Sequence, residues 1–328
     1  MPRLSRYETL LSAVWLDPWG SDEYYSAMIG RYLRLVGAIV AVSATVACSS
    51  DTPTASQPVS LPSFDGIFDF TDTATVDGRL RSWIVHLPTT YDHEARLPLL
   101  LAFHGAGESA QGMQAGTGLD GTANERGFVA VYPRATSLWA EGCDCTSAEA
   151  QGVDDVEFVR FLIGRLAQTY AIDAERVYAA GFSQGGAFTE RLACELDRPV
   201  AGIAVVGMTM RRGLLDVCAV PIALGLSIPA LLMHGTEDNT VPAEGSGDEP
   251  GSVLSLAEAA DVLLRLNRCS GAPAVTFEPA GPEILPRFRR EVYSDCANDG
   301  RVEIDIVEGV ATNGLHRSGI QPVLKRAG

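Results

Sequence analysis

Short, wholly apolar runs alternate with longer helical patterns along most of this chain. Leu99 to Phe103 reads as a strand buried on both faces, and Phe128–Val131, Val177–Ala180 and Ile203–Val206 add further short runs, while Val302–Val307 is strand-like with Glu303 and Asp305 between apolar residues. Val156–Leu166 and Leu254–Leu266 lie between them. This alternation predicts an α/β fold with a mostly parallel central sheet flanked by helices. Asp155 stands where an N-cap would open the helix through Phe158 and Phe161. No internal repeat interrupts the pattern.

One run leads into chemistry. Val177–Ala180 is followed by Gly181-Phe182-Ser183-Gln184-Gly185-Gly186 and then by a helical stretch from Ala187. A strand, G-x-S-x-G and a helix form a nucleophile elbow, in which the serine hydroxyl is held out above the sheet edge on a sharp turn. Gly181 and Gly185 are expected where a Cβ would strike neighbouring backbone. A serine hydroxyl is a poor nucleophile at neutral pH and needs a base, itself oriented by an acid, and on such a scaffold acid and then histidine follow the serine. Of the 5 histidines only His234 and His316 come after Ser183. His234 closes the run Pro229–Met233, so it belongs to a strand end or the turn beyond, and Asp238 and Glu237 follow as candidate acids. His316, in a polar loop bracketed by glycines, is then the base available in the required order. The negative oxygen of a tetrahedral intermediate needs donors already aimed at it. The N–H of Gln184 is one candidate, and the N–H of Ala106, in the turn His104-Gly105-Ala106-Gly107 after the Leu99–Phe103 run, is the other. His104 precedes the serine and reads as a residue of that turn.

These motifs resemble the polyhydroxybutyrate depolymerase and feruloyl esterase group of secreted α/β-hydrolases. The pieces that carry the resemblance are His104–Gly107, Gly152–Phe158, Asp173–Tyr178, Gly181–Gly186, Arg191–Cys194 and His234–Asp238, in the expected order over most of residues 80–320. The resemblance implies hydrolysis of carboxylic esters without a cofactor, with Ser183, Asp238 and His316 as the triad; the preference for Asp238 over Glu237 comes from it. With sequence proximity it also implies the disulfides Cys194–Cys218 and Cys269–Cys296. Members often carry Trp-Pro shortly after the histidine. Here Arg317-Ser318-Gly319 follows, which puts a polymer substrate in question.

Arg31 and Arg34 precede the apolar stretch Leu35–Val42, and small residues lead to Cys48. That is an export signal whose apolar core is too short for a membrane span, and it resembles a bacterial lipoprotein signal with Cys48 carrying the lipid. The acids Asp17, Asp22 and Glu23 do not suit a basic leader, so residues 1–27 are expected to be a non-native extension, with translation starting at Met28. Residues 28–48 form the signal, 49–62 a polar, proline-bearing tether, and 63–328 the catalytic domain.

The net charge of -16 argues against nucleic acid or anionic membranes as partners, leaving membrane contact through the lipid anchor and an ester substrate as the binding partner. Cys143 and Cys145 lie too close in sequence for an easy mutual bridge, and C-x-C without nearby histidines predicts no zinc site. Trp139 is a candidate for lining the acyl pocket or for the core. A serine peptidase of the same fold and a non-enzymatic, lipid-anchored binding protein remain as alternatives, and the oligomeric state is open.

Overall fold

The computed structural model describes residues 68–196, 200–278 and 288–311. The expected signal, Cys48, the tether and His316 lie outside the described residues.

The described chain opens with a hairpin of β1 (Asp69–Val76) and β2 (Arg79–His86). Asp77 and Gly78 turn it with φ of 48° and 71°, the positive pair that matches the twist of the flanking strands. There follow β3 (Leu97–Phe103), α1 (Ala110–Thr117), α2 (Leu119–Arg126), β4 (Val129–Pro133), the single turn α3 (Ser147–Ala150), α4 (Asp155–Thr169), β5 (Ile172–Phe182), α5 (Gln184–Glu195) and β6 (Gly202–Val206). The remaining elements are α6 (Leu214–Leu224), β7 (Ala230–Gly235), α7 (Leu256–Leu266), β8 (Ala274–Glu278), β9 (Phe288–Tyr293) and β10 (Val302–Val307).

Among the described residues these strands make one sheet in the order β1-β2-β4-β3-β5-β6-β7-β10-β9-β8. From β4 to β10 every pairing is parallel, while β1, β2, β8 and β9 add antiparallel margins. Both faces of the parallel centre are covered. Leu99, Leu101 and Phe103 of β3 join one apolar cluster, and Leu100 and Ala102 join the other. This two-sided burial is why the central strands read as unbroken apolar runs rather than as alternation. It also brings the C-terminal ends of β3, β5, β7 and β10 to one sheet edge, where ligands bind in open α/β sheets.

The start of α4 corrects one expectation. The N-cap is Asp154, whose side chain accepts the Glu157 N–H at 2.9 Å. Asp155 is the first helical residue and is fully buried. One of its oxygens pairs with Arg81, and the other accepts the Ala140 N–H at 2.8 Å. The Arg81 guanidinium lies 3.8 Å above the Phe158 ring, so the cation is enclosed by an anion and an aromatic face.

Disulfides join Cys194 to Cys218, tying α5 to α6, and Cys269 to Cys296, the pairs the family resemblance implies. A third joins Cys143 to Cys145, contrary to the argument from spacing. Asp144 between them takes a left-handed φ of 53°. The two Cα atoms are thereby 5.1 Å apart, inside the span of roughly 4.4–6.8 Å that a disulfide bridges.

The two adjacent aspartates should differ sharply on substitution. Asp155→Ala leaves a buried guanidinium unpaired and should cost about 3–5 kcal/mol, whereas Asp154→Ala loses a helix cap and should cost about 1 kcal/mol. Urea midpoints of the two variants compare them directly; equal losses would refute the buried-pair assignment.

Candidate active site

Ser183 sits between β5 and α5 with φ 50° and ψ -119°, a conformation sparsely populated by residues with a Cβ and held only where surroundings enforce it. Here they do. Its N–H donates to Val206 O at 2.8 Å, and its carbonyl accepts the N–H groups of Gly186 and Ala187 at 2.8 and 3.2 Å. A Cβ on Gly181 would stand 2.0 Å from Gly185 O, and one on Gly185 would stand 2.2 Å from Phe103 O and 2.6 Å from His104 O. The first turn of α5 therefore lies directly on the end of β3. Ser183 itself is half-buried.

The two expected oxyanion donors lie on the elements that touch here. Gln184 opens α5, where the backbone N–H groups have no helical partner and the helix dipole is positive. Ala106 is exposed in the turn Gly105–Glu108, closed by Glu108 N–H to Gly105 O at 3.2 Å. Among the described residues neither the Gln184 N–H nor the Ala106 N–H has an acceptor.

Four hydrogen bonds brace the Gly105–Glu108 turn and link it through Trp139 to the elbow. His104 Nε2 accepts the Ala135 N–H at 3.2 Å, and its Nδ1–H donates to Gly105 O at 2.8 Å. The Trp139 indole N–H donates to His104 O at 2.9 Å, and the Trp139 backbone N–H reaches Gln184 Oε1 at 3.3 Å. Burial lowers the His104 pKa, so the ring serves as a neutral brace. Trp139 is fully buried, stacked on Phe188 at 5.0 Å and edge-on to Phe103. It therefore lines no open acyl pocket and acts as a strut between loop and helix. Apart from the bond between His104 and Gly105, these ties join residues far apart in sequence, and only the indole's need for a buried acceptor hinted at one of them.

Asp238, the expected acid, lies in the loop after β7. Asp238 is 5% exposed, and its Oδ1 accepts the N–H groups of Thr240 and Val241, each at 2.8 Å. Its Oδ2 is buried without a hydrogen-bond partner among the described residues. Glu237 is exposed. His234 is buried, donates from Nε2 to Val241 O at 2.8 Å, and lies 3.9 Å from Asp238 Oδ2. Burial depresses its pKa and keeps it neutral. The chain after β10 passes against this same loop: Glu237 N–H donates to Val310 O at 3.1 Å, and a Cβ on Gly235 would stand 2.1 Å from that oxygen. His316 lies five residues past Ala311, a reach of at most about 18 Å.

Two side-chain groups offer metal-ligating atoms within 4.8 Å of one another: Glu141 with Cys143 and Cys145, and Asp69 with His86 and Asp120. The cysteines are bonded to each other. The second group is already tied together by Gln114, which donates to Asp69 and Asp120 at 2.8 and 2.9 Å, and by Tyr132, which donates to Asp120. Neither is arranged as an open coordination site.

The family described as esterase PHB depolymerase matches residues 81–222, the span from β2 through the elbow to α6. Over that span and among its relatives the chain is similar to the polyhydroxybutyrate depolymerase and feruloyl esterase group. These likenesses support a carboxylic ester hydrolase. It is 27% identical over 298 residues to the protein named esterase NocK of Nocardia uniformis subsp. tsuyamanensis, covering 83% of this chain and 85% of that one. It is 26% identical to feruloyl esterase B of Piromyces equi over 70% of this chain and 42% of that protein. With the bifunctional acetylxylan esterase/xylanase XynS20E of Neocallimastix patriciarum the identity is 31%, over 44% of this chain and 20% of that protein. Among solved structures, the acetyl xylan esterase from Aspergillus awamori shares the α/β-hydrolase fold with a TM-score of 0.55 at 14% identity, over 79% of this chain and 98% of that one. Thermogutta terrifontis esterase 2 phosphorylated by paraoxon gives 0.52 at 16% identity, over 79% of this chain and 92% of that one.

Glu190, two turns along α5 from Ser183, is fully buried, and neither carboxyl oxygen has a hydrogen-bond partner among the described residues. Burial pushes its pKa well above the usual 4.5, opposed by Arg211 and reinforced by Glu141. The folded protein thus holds a proton that the unfolded chain releases. Stability from the neutral acid is complete below pH 4.5 and declines as pH rises. Glu190→Gln cannot ionise, so its melting temperature relative to the parent should climb between about pH 5 and about pH 8. Parallel melting curves across that range would contradict the buried neutral acid.

Proposed function

We propose that this esterase attacks carboxylic esters through Ser183, with His316 as general base and Asp238 as the acid that orients it. The observation that carries the reading is the strained turn at Ser183, held by backbone crowding beside two donor N–H groups without acceptors. His316 would take the hydroxyl proton as Ser183 Oγ bonds to the ester carbonyl carbon. The N–H groups of Gln184 and Ala106 would hold the oxyanion, and His316 would return the proton to the leaving alcohol as the C–O bond breaks. Water, deprotonated by the same base, would release the acid. The buried, unpartnered Oδ2 of Asp238 favours it over exposed Glu237, because an enclosed carboxylate oxygen is costly until a donor reaches it.

The names of the relatives favour acetyl or feruloyl esters of plant-wall polysaccharides, and a short polyhydroxyalkanoate ester is the second substrate to try. On p-nitrophenyl acetate, Ser183→Ala, His316→Ala and Asp238→Asn should each lower kcat by roughly a thousandfold or more, and Glu237→Gln should change it by less than about threefold. Full activity in Asp238→Asn with loss in Glu237→Gln would transfer the acid role.

No described helix is long and apolar enough to cross a membrane. We infer export and attachment through Cys48 from the leader Arg31–Val42 and the small residues before the cysteine. In a bacterial host, Cys48→Ser should move the esterase from the membrane fraction to the soluble fraction. An unchanged distribution would refute the anchor.

A further inference from the structure

Resting on the reading of Ser183 as nucleophile and the Gly105–Glu108 turn as the oxyanion loop, we propose that Glu108 is the positioning residue that sets the Ala106 donor. Both backbone groups of Gly105 bond to this residue, and the carbonyl also accepts from His104 Nδ1–H. Its N–H donates to Glu108 Oε2 at 3.0 Å, and its carbonyl accepts the Glu108 N–H at 3.2 Å. The two bonds clamp the ends of a four-residue turn and leave Ala106 and Gly107 at its crown.

Gly107 has φ 73°, the left-handed second central position of a type II turn. That choice fixes how the central peptide plane is flipped, and hence where the neighbouring N–H groups point. The clamp is rigid at both ends. On one side Gly105 is buried, with its hypothetical Cβ 3.1 Å from the Phe182 ring and 3.3 Å from Glu108 Oε2. On the other, Ser109 caps α1 by accepting the Gly112 N–H at 3.1 Å. Glu108 stands between a fixed helix end and the turn it closes.

The clamp also sorts the donors. With its N–H already on the carboxylate, Gly105 cannot offer it to the substrate oxygen, and Ala106 is left as the donor at the crown. What the turn needs from residue 108 is an acceptor oxygen at that spot. The negative charge is not needed there, since a carboxylate near a developing oxyanion raises its energy. Glutamine supplies the same acceptor without the charge.

The test compares Glu108→Ala, Glu108→Gln and Ser183→Ala on p-nitrophenyl acetate. Inhibition by phenylboronic acid, which adds to a nucleophilic serine as a tetrahedral anion, is measured alongside. Glu108→Ala should lower kcat by about 10- to 100-fold with KM changed less than about threefold, because a donor displaced by a fraction of an ångström fails chiefly in the transition state. Its affinity for the boronate should fall in step. Glu108→Gln should keep kcat within about threefold of the parent, or exceed it. If Glu108→Ala melts before it can be assayed, Glu108→Asp, whose carboxylate stops one carbon short, should show the same loss of kcat.

Parental kcat in Glu108→Ala, or equal damage in the Gln and Ala variants, would overturn the positioning role. If that happens while Ser183→Ala is dead, only the role of Glu108 fails. Activity surviving in Ser183→Ala would remove the underlying reading instead.

Discussion

Backbone carbonyls crowd the turn after β5 so tightly that the oxygens of Gly185, Phe103 and His104 would each lie within 2.6 Å of a side chain at Gly181 or Gly185. The turn Gly105–Glu108 lies beside that contact, with a Cβ on Gly105 3.1 Å from the Phe182 ring. The crowding forces Ser183 into a conformation it would not choose, starts α5 at Gln184, and sets the first turn of that helix against the end of β3. Because β3, β5, β7 and β10 run parallel, the loops after them open on the same edge. The sheet thus supplies proximity, and the glycines supply the close approach.

Local strain at one turn persists only if surrounding structure outweighs it. Here the support comes from the loop around Trp139. Its backbone reaches Gln184, its indole reaches His104, and the next residue bridges to Asp155 and Arg191. Asp155 in turn neutralises buried Arg81 on β2. A chain of buried polar contacts therefore links the hairpin margin of the sheet to the elbow. Glu190 runs against this economy, since a buried acid without a partner lowers stability at neutral pH. Its place inside the helix that follows Ser183 fits the tendency of such costs to gather near functional sites.

Much of this was legible in the residues. The apolar runs marked β3 to β7 because both faces of those strands are covered, and Gly181 and Gly185 announced the tight turn. The β1–β2 hairpin carries its signal in Asp77-Gly78, a dipeptide suited to a two-residue turn. Other features were out of reach for physical reasons. Whether Asp154 or Asp155 caps α4 depends on which carboxylate finds buried Arg81. The Cys143–Cys145 bridge depends on a left-handed Asp144, which spacing does not reveal. Trp139 as strut and Glu108 as clamp depend on where loops meet in space.

The central claim is that an ester-like electrophile bonds covalently to Ser183 and to no other hydroxyl. Paraoxon, which phosphorylates Thermogutta terrifontis esterase 2, offers the direct measurement. After stoichiometric treatment of the protein, mass spectrometry of its peptides should place a single diethylphosphoryl group on Ser183, in step with loss of esterase activity. Inactivation with the group on another residue, or full activity with Ser183 modified, would contradict the account.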